Sequence, residues 1–136
     1  MTDCLFCKIA NKTIPANVLY EDRSVIAFLD IKPITRGHTL VVPKQHCENL
    51  FDAPEQVLAD TVKAAKKVAL GVTNALGAKA CNLGMNSGAA AGQAVMHAHM
   101  HVIPRYADDG LQHWPGKNVS QEELAKVQQR IMVQML

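Results

Sequence analysis

Three histidines at alternate positions, His97-Ala98-His99-Met100-His101, followed by Val102-Ile103, constrain this chain more than any other feature. A period of two is the signature of a β-strand, in which residues two apart share a face. His97, His99 and His101 are therefore expected on one face. Ala98, Met100 and Val102 fall on the other, against the core. A rise of ~3.3 Å per residue sets the outer imidazoles about 13 Å apart along a straight strand. They cannot share one metal ion unless the strand bends, so the pattern predicts three rings with separate tasks. The preceding segment, Asn86 to Gln93, is small and glycine-containing. Such a loop can bring backbone N–H groups close to an anion.

The rest of the chain supplies partners for this strand. Val18 to Tyr20 and Val25 to Leu29 are β-prone runs separated by the turn-like Glu21-Asp22-Arg23-Ser24, which predicts a hairpin. Thr39 to Val42 forms a third strand, entered after Gly37 and closed by Pro43. Ala80 to Asn86 and Met96 to Ile103 complete an antiparallel sheet of about five strands. Between the third and fourth lies a long helix, with Asp52 as cap, Pro54 in its first turn and Gly77 as its stop. Leu58, Thr61, Val62, Ala65, Val68, Ala69, Val72 and Leu76 give it one apolar face. Ser120 with Glu123 forms a capping box for a C-terminal helix striped by Leu124, Val127, Ile131 and Met135. A short helix is expected near Phe6 to Asn11. The fold class is α+β, with the long helix packed on the sheet. Residues 1–116 form the domain, and residues 117–136 its C-terminal helical extension.

Composition narrows the function classes. With 136 residues and 49% hydrophobic content the chain can bury one ordinary core. The formal net charge is only +2. Lys63, Lys66 and Lys67 are the only basic cluster, on the predicted helix, where they read as a solvated face. No stripe for nucleic acid is present. No run approaches the roughly 20 apolar residues that span a membrane, and no secretory pattern opens the chain. A cytoplasmic location is expected. Four cysteines in such a chain should be reduced. Cys81, in a strand-like apolar run, reads as a small core residue, and Cys47 suggests no role.

The sequence resembles the histidine triad superfamily, in its nucleotide-binding, phosphoramidase-like branch. The resemblance extends beyond the triplet to Cys4-Leu5-Phe6-Cys7-Lys8-Ile9, Tyr20-Glu21-Asp22, Ala27 to Ile31, Gly37 to Lys44, Gly92 to Val95 and His113-Trp114-Pro115-Gly116. It implies a homodimer that binds purine nucleotides and cleaves at the α-phosphate, releasing AMP or GMP. By position, His99 becomes the nucleophile, with its other ring nitrogen on a backbone carbonyl. His101 donates to a phosphate oxygen, and His38 stands behind the triad. An imidazole with an ordinary pKa near 6.5 is largely neutral and nucleophilic at pH 7, and a covalent intermediate divides one difficult hydrolysis into two displacements. Phe6, Ile9, Phe28 and Ile31 correspond to an apolar purine pocket, although the residues alone read as core. Asp30 corresponds to a ribose ligand, and Asn86, Gly92 and Gln93 to phosphate-side contacts. Ala94 departs from the pattern, which has a serine or threonine there to assist the leaving group. The implied substrates are purine nucleoside phosphoramidates or aminoacyl adenylates. The rival readings are cleavage of dinucleoside polyphosphates, and a nucleotide-binding interaction protein with incidental activity.

The resemblance also implies a structural zinc and no catalytic metal. Cys4 and Cys7, with His46 and His97, would form a closed Cys₂His₂ shell, which leaves no open position for catalysis. The alternative is a reduced thiol pair, with His97 hydrogen-bonded inside the triad.

Overall fold

The computed structural model describes residues 3–135. Its elements run α1 (Leu5–Ala10), β1 (Val18–Glu21), β2 (Val25–Leu29), β3 (Thr39–Pro43), α2 (Glu55–Leu76), β4 (Ala80–Gly84), β5 (Met100–Arg105) and α3 (Gln121–Met135), with a short 3₁₀ turn over Ala89–Ala91. The five strands make one antiparallel sheet in the order β1-β2-β3-β5-β4. The α+β architecture expected from the sequence is the one observed.

Alternation along the strands divides the core in two. Val25 and Ala27 of β2, Val41 of β3 and Val102 of β5 pack with Ala64, Ala65, Val68 and Val72 of α2. Ile26, Phe28, Leu40 and Val42 point the other way and pack with Phe6 and Ile9 of α1. The sheet is thus covered on one face by the long helix and on the other by the short N-terminal one. In the β3–β5 register His101 stands opposite Leu40, on the α1 side.

Several local expectations are corrected. The helix α2 starts at Glu55 with no side-chain cap. Asp52 instead turns back and accepts from the N–H groups of Glu48 (2.9 Å) and Asn49 (2.9 Å), which occupies its carboxylate. Val62 is exposed and Ala64 takes its place in the core. Gly77 does end the helix, in a left-handed conformation with φ 73°. The strand β4 ends at Gly84, and all five of its residues are exposed because it lies at the sheet edge. Cys81 is therefore exposed rather than a core residue. The serine of the C-terminal capping box behaves as expected, Ser120 Oγ accepting from Glu123 N–H at 3.1 Å. The stripe Leu124, Val127, Ile131 and Met135 is exposed, as is the whole of α3. Among the described residues no helix is long and apolar enough to cross a membrane.

The triad strand differs most. Ladder pairing begins only at Met100; the chain bends over residues 95–97, and Ala98 and His99 follow in irregular backbone. The bend turns the His97 ring, wholly buried, back toward the end of β3 and toward α1.

Candidate active site

The site is assembled where the bend enters β5. His38 precedes β3 and is delivered by Gly37, whose φ of 92° suits glycine. A Cβ on Gly37 would stand 2.5 Å from Leu76 Cδ1 and 2.9 Å from Val72 Cγ1, so the loop before His38 lies flush against α2. Opposite His101 on β4 is Gly84, with no side chain to crowd the ring. The rings of His99 and His101 meet edge-on with centroids 5.0 Å apart.

Hydrogen-bond partners fix which nitrogen of each ring carries the proton. His99 Nδ1 lies 2.7 Å from the carbonyl oxygen of His97. A carbonyl only accepts, so Nδ1 holds the hydrogen and Nε2 keeps its lone pair. A second chain sets His101. The Ile34 N–H donates to His38 Nδ1 at 3.0 Å, which leaves the His38 hydrogen on Nε2. That Nε2–H donates to His101 Nδ1 at 2.9 Å. His101 must then carry its own hydrogen on Nε2. The two neighbouring rings therefore offer opposite functions, a lone pair on His99 and a donor on His101.

Burial holds all of these rings neutral. It lowers the pKa of His38, His97 and His99 below the ordinary imidazole value. His101 is pushed down to about 4, first by burial and then by the neighbouring His99 and His38. At pH 7 His101 is a neutral hydrogen-bond donor rather than an acid.

The residues matched to nucleotide binding separate into groups. Phe6, Ile9 and Phe28 are buried together. The Phe6 ring stands edge-on to Phe28 (5.5 Å) and to His99 (5.0 Å). Ile31 lies apart, 88% exposed. The carboxylate of Asp30 accepts from the Lys32 N–H at 2.8 Å and reaches within 3.7 Å of His38 Nε2. The Gln93 amide ties its own loop to the segment before α2. Its oxygen accepts from the Gly88 N–H (2.8 Å) and Asn49 Nδ2 (3.3 Å), and its nitrogen donates to the carbonyls of Glu48 (2.6 Å) and Val95 (3.0 Å). The N–H groups of Ala91 and Gly92 close the 3₁₀ turn on Gly88 and Ala89. Gln93 is thus the brace that shapes the loop. A Cβ on Gly92 would stand 3.7 Å from Asn86 Nδ2, and Asn86 lines a cavity together with His101.

Cys4, Cys7, His46 and His97 converge, each offering one ligand atom, all within 4.8 Å of one another. His97 Nε2 donates to the Pro43 carbonyl at 2.8 Å, which leaves the Nδ1 lone pair facing the cluster. From it, Cys4 Sγ lies at 3.2 Å, His46 Nδ1 at 3.1 Å and Cys7 Sγ at 3.5 Å. Ordinary zinc–sulfur and zinc–nitrogen bonds place the corners of a tetrahedral shell about 3.3–3.8 Å apart. Two thiols and two imidazoles at these separations fit such an ion, and the cluster could bind zinc. Asp30, His38 and His101 also bring ligand atoms within 4.8 Å. There the His38 Nε2 hydrogen already bridges the two rings, so that group does not fit a cation.

Other participants were not visible in the sequence. Ile34, Pro43, Cys47 and Glu48 act through backbone N–H or carbonyl groups, for which side-chain identity gives no signal. The cavity beside His101, of about 520 Å³, is lined by Asn82, Arg105, His113 and Trp114 among others. Arg105 is held there by Asp109 (2.7 Å) and donates to Asn82 Oδ1 (2.9 Å). Its alternating position in β5 was the one available clue.

The HIT domain model matches residues 11–108. An uncharacterised HIT-like protein of Methanocaldococcus jannaschii is 47% identical over 125 residues, which cover 90% of this chain and 96% of that one. The adenosine 5'-monophosphoramidase of Saccharomyces cerevisiae is 34% identical over 134 residues, covering 97% of this chain and 82% of that one. Among solved structures, a Streptococcus mutans protein superposes with a TM-score of 0.95 at 36% identity, over 100% of this chain and 87% of that one. A Zn-bound histidine triad family protein from Mycobacterium smegmatis does so with a TM-score of 0.79 at 36% identity, over 98% and 96%.

Proposed function

This chain belongs to the HIT family of nucleotide hydrolases, and on that premise we propose that it hydrolyses purine nucleoside phosphoramidates or aminoacyl adenylates at the α-phosphate. The observation that carries this reading is the pair of opposite tautomers, a lone pair on His99 Nε2 beside a hydrogen on His101 Nε2. The His99 lone pair attacks phosphorus, and the bond from phosphorus to the leaving nitrogen or oxygen breaks. The electron pair departs with the leaving group, and an amine takes its proton from solvent. His101 donates a hydrogen bond to the phosphoryl oxygen, a contribution of about 10²–10³ in rate for such donors. Water then displaces His99 and releases the nucleoside monophosphate.

Phe6, Ile9 and Phe28 form the apolar wall for the base, with Ile31 at its exposed rim, and Asp30 takes the ribose hydroxyls. Asn86, Gly92 and Gln93 form the phosphate side, Gln93 by holding the loop. Cys4, Cys7, His46 and His97 hold a structural zinc, which would pin α1 to the bend. The working form is a homodimer, a reading supported by the exposed edge strand β4 and by α3, which is exposed along its length.

The test is AMP release from adenosine phosphoramidate and from a diadenosine polyphosphate, by wild type and by His99→Ala. Release from the phosphoramidate that disappears in the variant supports the proposal. A strong preference for the polyphosphate shifts the substrate class. AMP binding without turnover supports a binding module instead.

A further inference from the structure

The Cys/His cluster and the nucleophile share a residue, and the contacts around it tie them together. The His97 ring is held at both nitrogens, Nε2–H on the Pro43 carbonyl and Nδ1 toward Cys4, Cys7 and His46. The His97 carbonyl is the acceptor that keeps the hydrogen of His99 on Nδ1. That carbonyl belongs to the same peptide unit as the N–H of Ala98, which donates to the Cys47 carbonyl at 2.8 Å. Cys47 directly follows the cluster residue His46. One peptide plane is therefore gripped on its N–H side by the loop that carries His46, and its carbonyl side grips the nucleophile. A second route runs through α1. Phe6 sits between Cys4 and Cys7, and its ring stands edge-on to both His97 (6.0 Å) and His99 (5.0 Å).

We propose that Cys4, Cys7 and His46 are positioning residues for the nucleophile: gathered on a bound zinc ion, they fix the 97–98 peptide plane and the Phe6 ring, and so the tautomer and direction of His99. This rests on the assignment of His99 as nucleophile and goes beyond a purely structural role for the cluster. If the cluster loosens, the peptide plane can turn, and His99 Nδ1 loses its acceptor. Molecules with the hydrogen on Nε2 cannot attack. Of the nucleotide contacts proposed, Phe28 and Asp30 lie on β2 and the loop after it, outside the cluster, whereas Phe6 and Ile9 lie on α1 and loosen with it. Turnover should therefore fall further than nucleotide affinity.

The experiment compares wild type, Cys4→Ala/Cys7→Ala and the ligand-preserving His46→Cys in the full chain, each loaded with zinc. Co²⁺ substitution reports the tetrahedral site by its absorption. The imidazole ¹⁵N spectrum of His99 reports its tautomer without any turnover. For the double variant we expect kcat to fall by about 10–100-fold, the range usual for partners of a ligand shell. The Kd for AMP should rise by less than kcat falls, and a His99 Nε2–H population should appear. His46→Cys, which keeps four ligands, should retain both the wild-type tautomer and kcat. Lys63→Ala, on the exposed face of α2, is the neutral control. A folded double variant with wild-type kcat and an unchanged His99 tautomer overturns the proposal, as does a wild type that binds no metal. If the double variant fails to fold, wild type with and without chelator gives the same two readouts. If no adenylyl substrate is turned over, the assignment of His99 fails, while the ¹⁵N spectrum still decides whether the cluster sets its tautomer.

Discussion

His38 can be divided into its two hydrogen bonds by substitution, and the halves should have different consequences. Its Nδ1 accepts from the Ile34 N–H at 3.0 Å, and its Nε2–H donates to His101 Nδ1 at 2.9 Å. Asparagine can place an oxygen near the Nδ1 position but reaches no further. Glutamine can place an N–H near the Nε2 position but leaves Ile34 unserved. His38→Asn should therefore keep the loop and release His101, which is then free to put its hydrogen on either nitrogen. Where it chooses Nδ1, the donor toward phosphate is lost. Removal of one such donor costs about 10²–10³ in kcat, and incomplete tautomer conversion sets the expected loss at roughly 10–10². His38→Gln should keep most of the rate. It should lose about 1–3 kcal/mol of stability for the unsatisfied Ile34 N–H, with a further loss because His38 is only 2% exposed and its ring is not replaced. Single-turnover AMP release measures the first quantity and urea unfolding the second. An asparagine variant with wild-type turnover, or a glutamine variant as slow as asparagine, would refute the relay from Ile34 to His101.

Three further outcomes are expected. Gly37→Ala forces a Cβ to within 2.5 Å of Leu76 Cδ1 at a φ of 92°, so it should destabilise by about 1–3 kcal/mol, seen as a lower thermal midpoint, and displace His38. The His101 pKa, about 4 in the folded chain, lies below its unfolded value near 6.5. Its neutral burial therefore contributes fully above pH 6.5, and stability should decline as the pH falls from there toward 4, where the unfolded chain binds the extra proton. Denaturant midpoints across that window check the sign. Ala94→Ser supplies the hydroxyl that the phosphoramidase-like pattern carries, and should raise kcat on a phosphoramidate by about tenfold, with little change in AMP affinity.

The parts of the fold that were legible in the sequence are those governed by apolar pattern. Val25 to Leu29 was readable as a continuous β-prone apolar run, and the α2 face, Val62 excepted, was readable from the 3.6-residue period. The pattern carries no information about what lies beyond a strand. Cys81 looked like core because its run is apolar, yet β4 has a neighbour on one side only. The stripe on α3 was equally readable as a stripe, but not whether anything in the chain covers it. Asp52 offered itself as a helix cap, and two nearer N–H groups took its carboxylate.

The histidine row shows why the site resisted a full reading. Alternation placed three rings on one strand face, and the side-chain inventory suggested their tasks. The irregular path over 97–99 was illegible because the groups that hold it are the carbonyl of Pro43, the carbonyl of Cys47 and a cluster formed with residues 51 and 90–93 positions distant in the chain. The tautomers were illegible in the residues themselves, and only the resemblance implied a backbone carbonyl at His99, since each is set by a backbone group of His97 or Ile34. Backbone acceptors are identical at every position, so only the fold can say where one is aimed. It follows that substitutions at Ile34 or Pro43 that preserve their main-chain paths should leave the chemistry intact. A change in the 43–47 path should impair it even with every histidine in place.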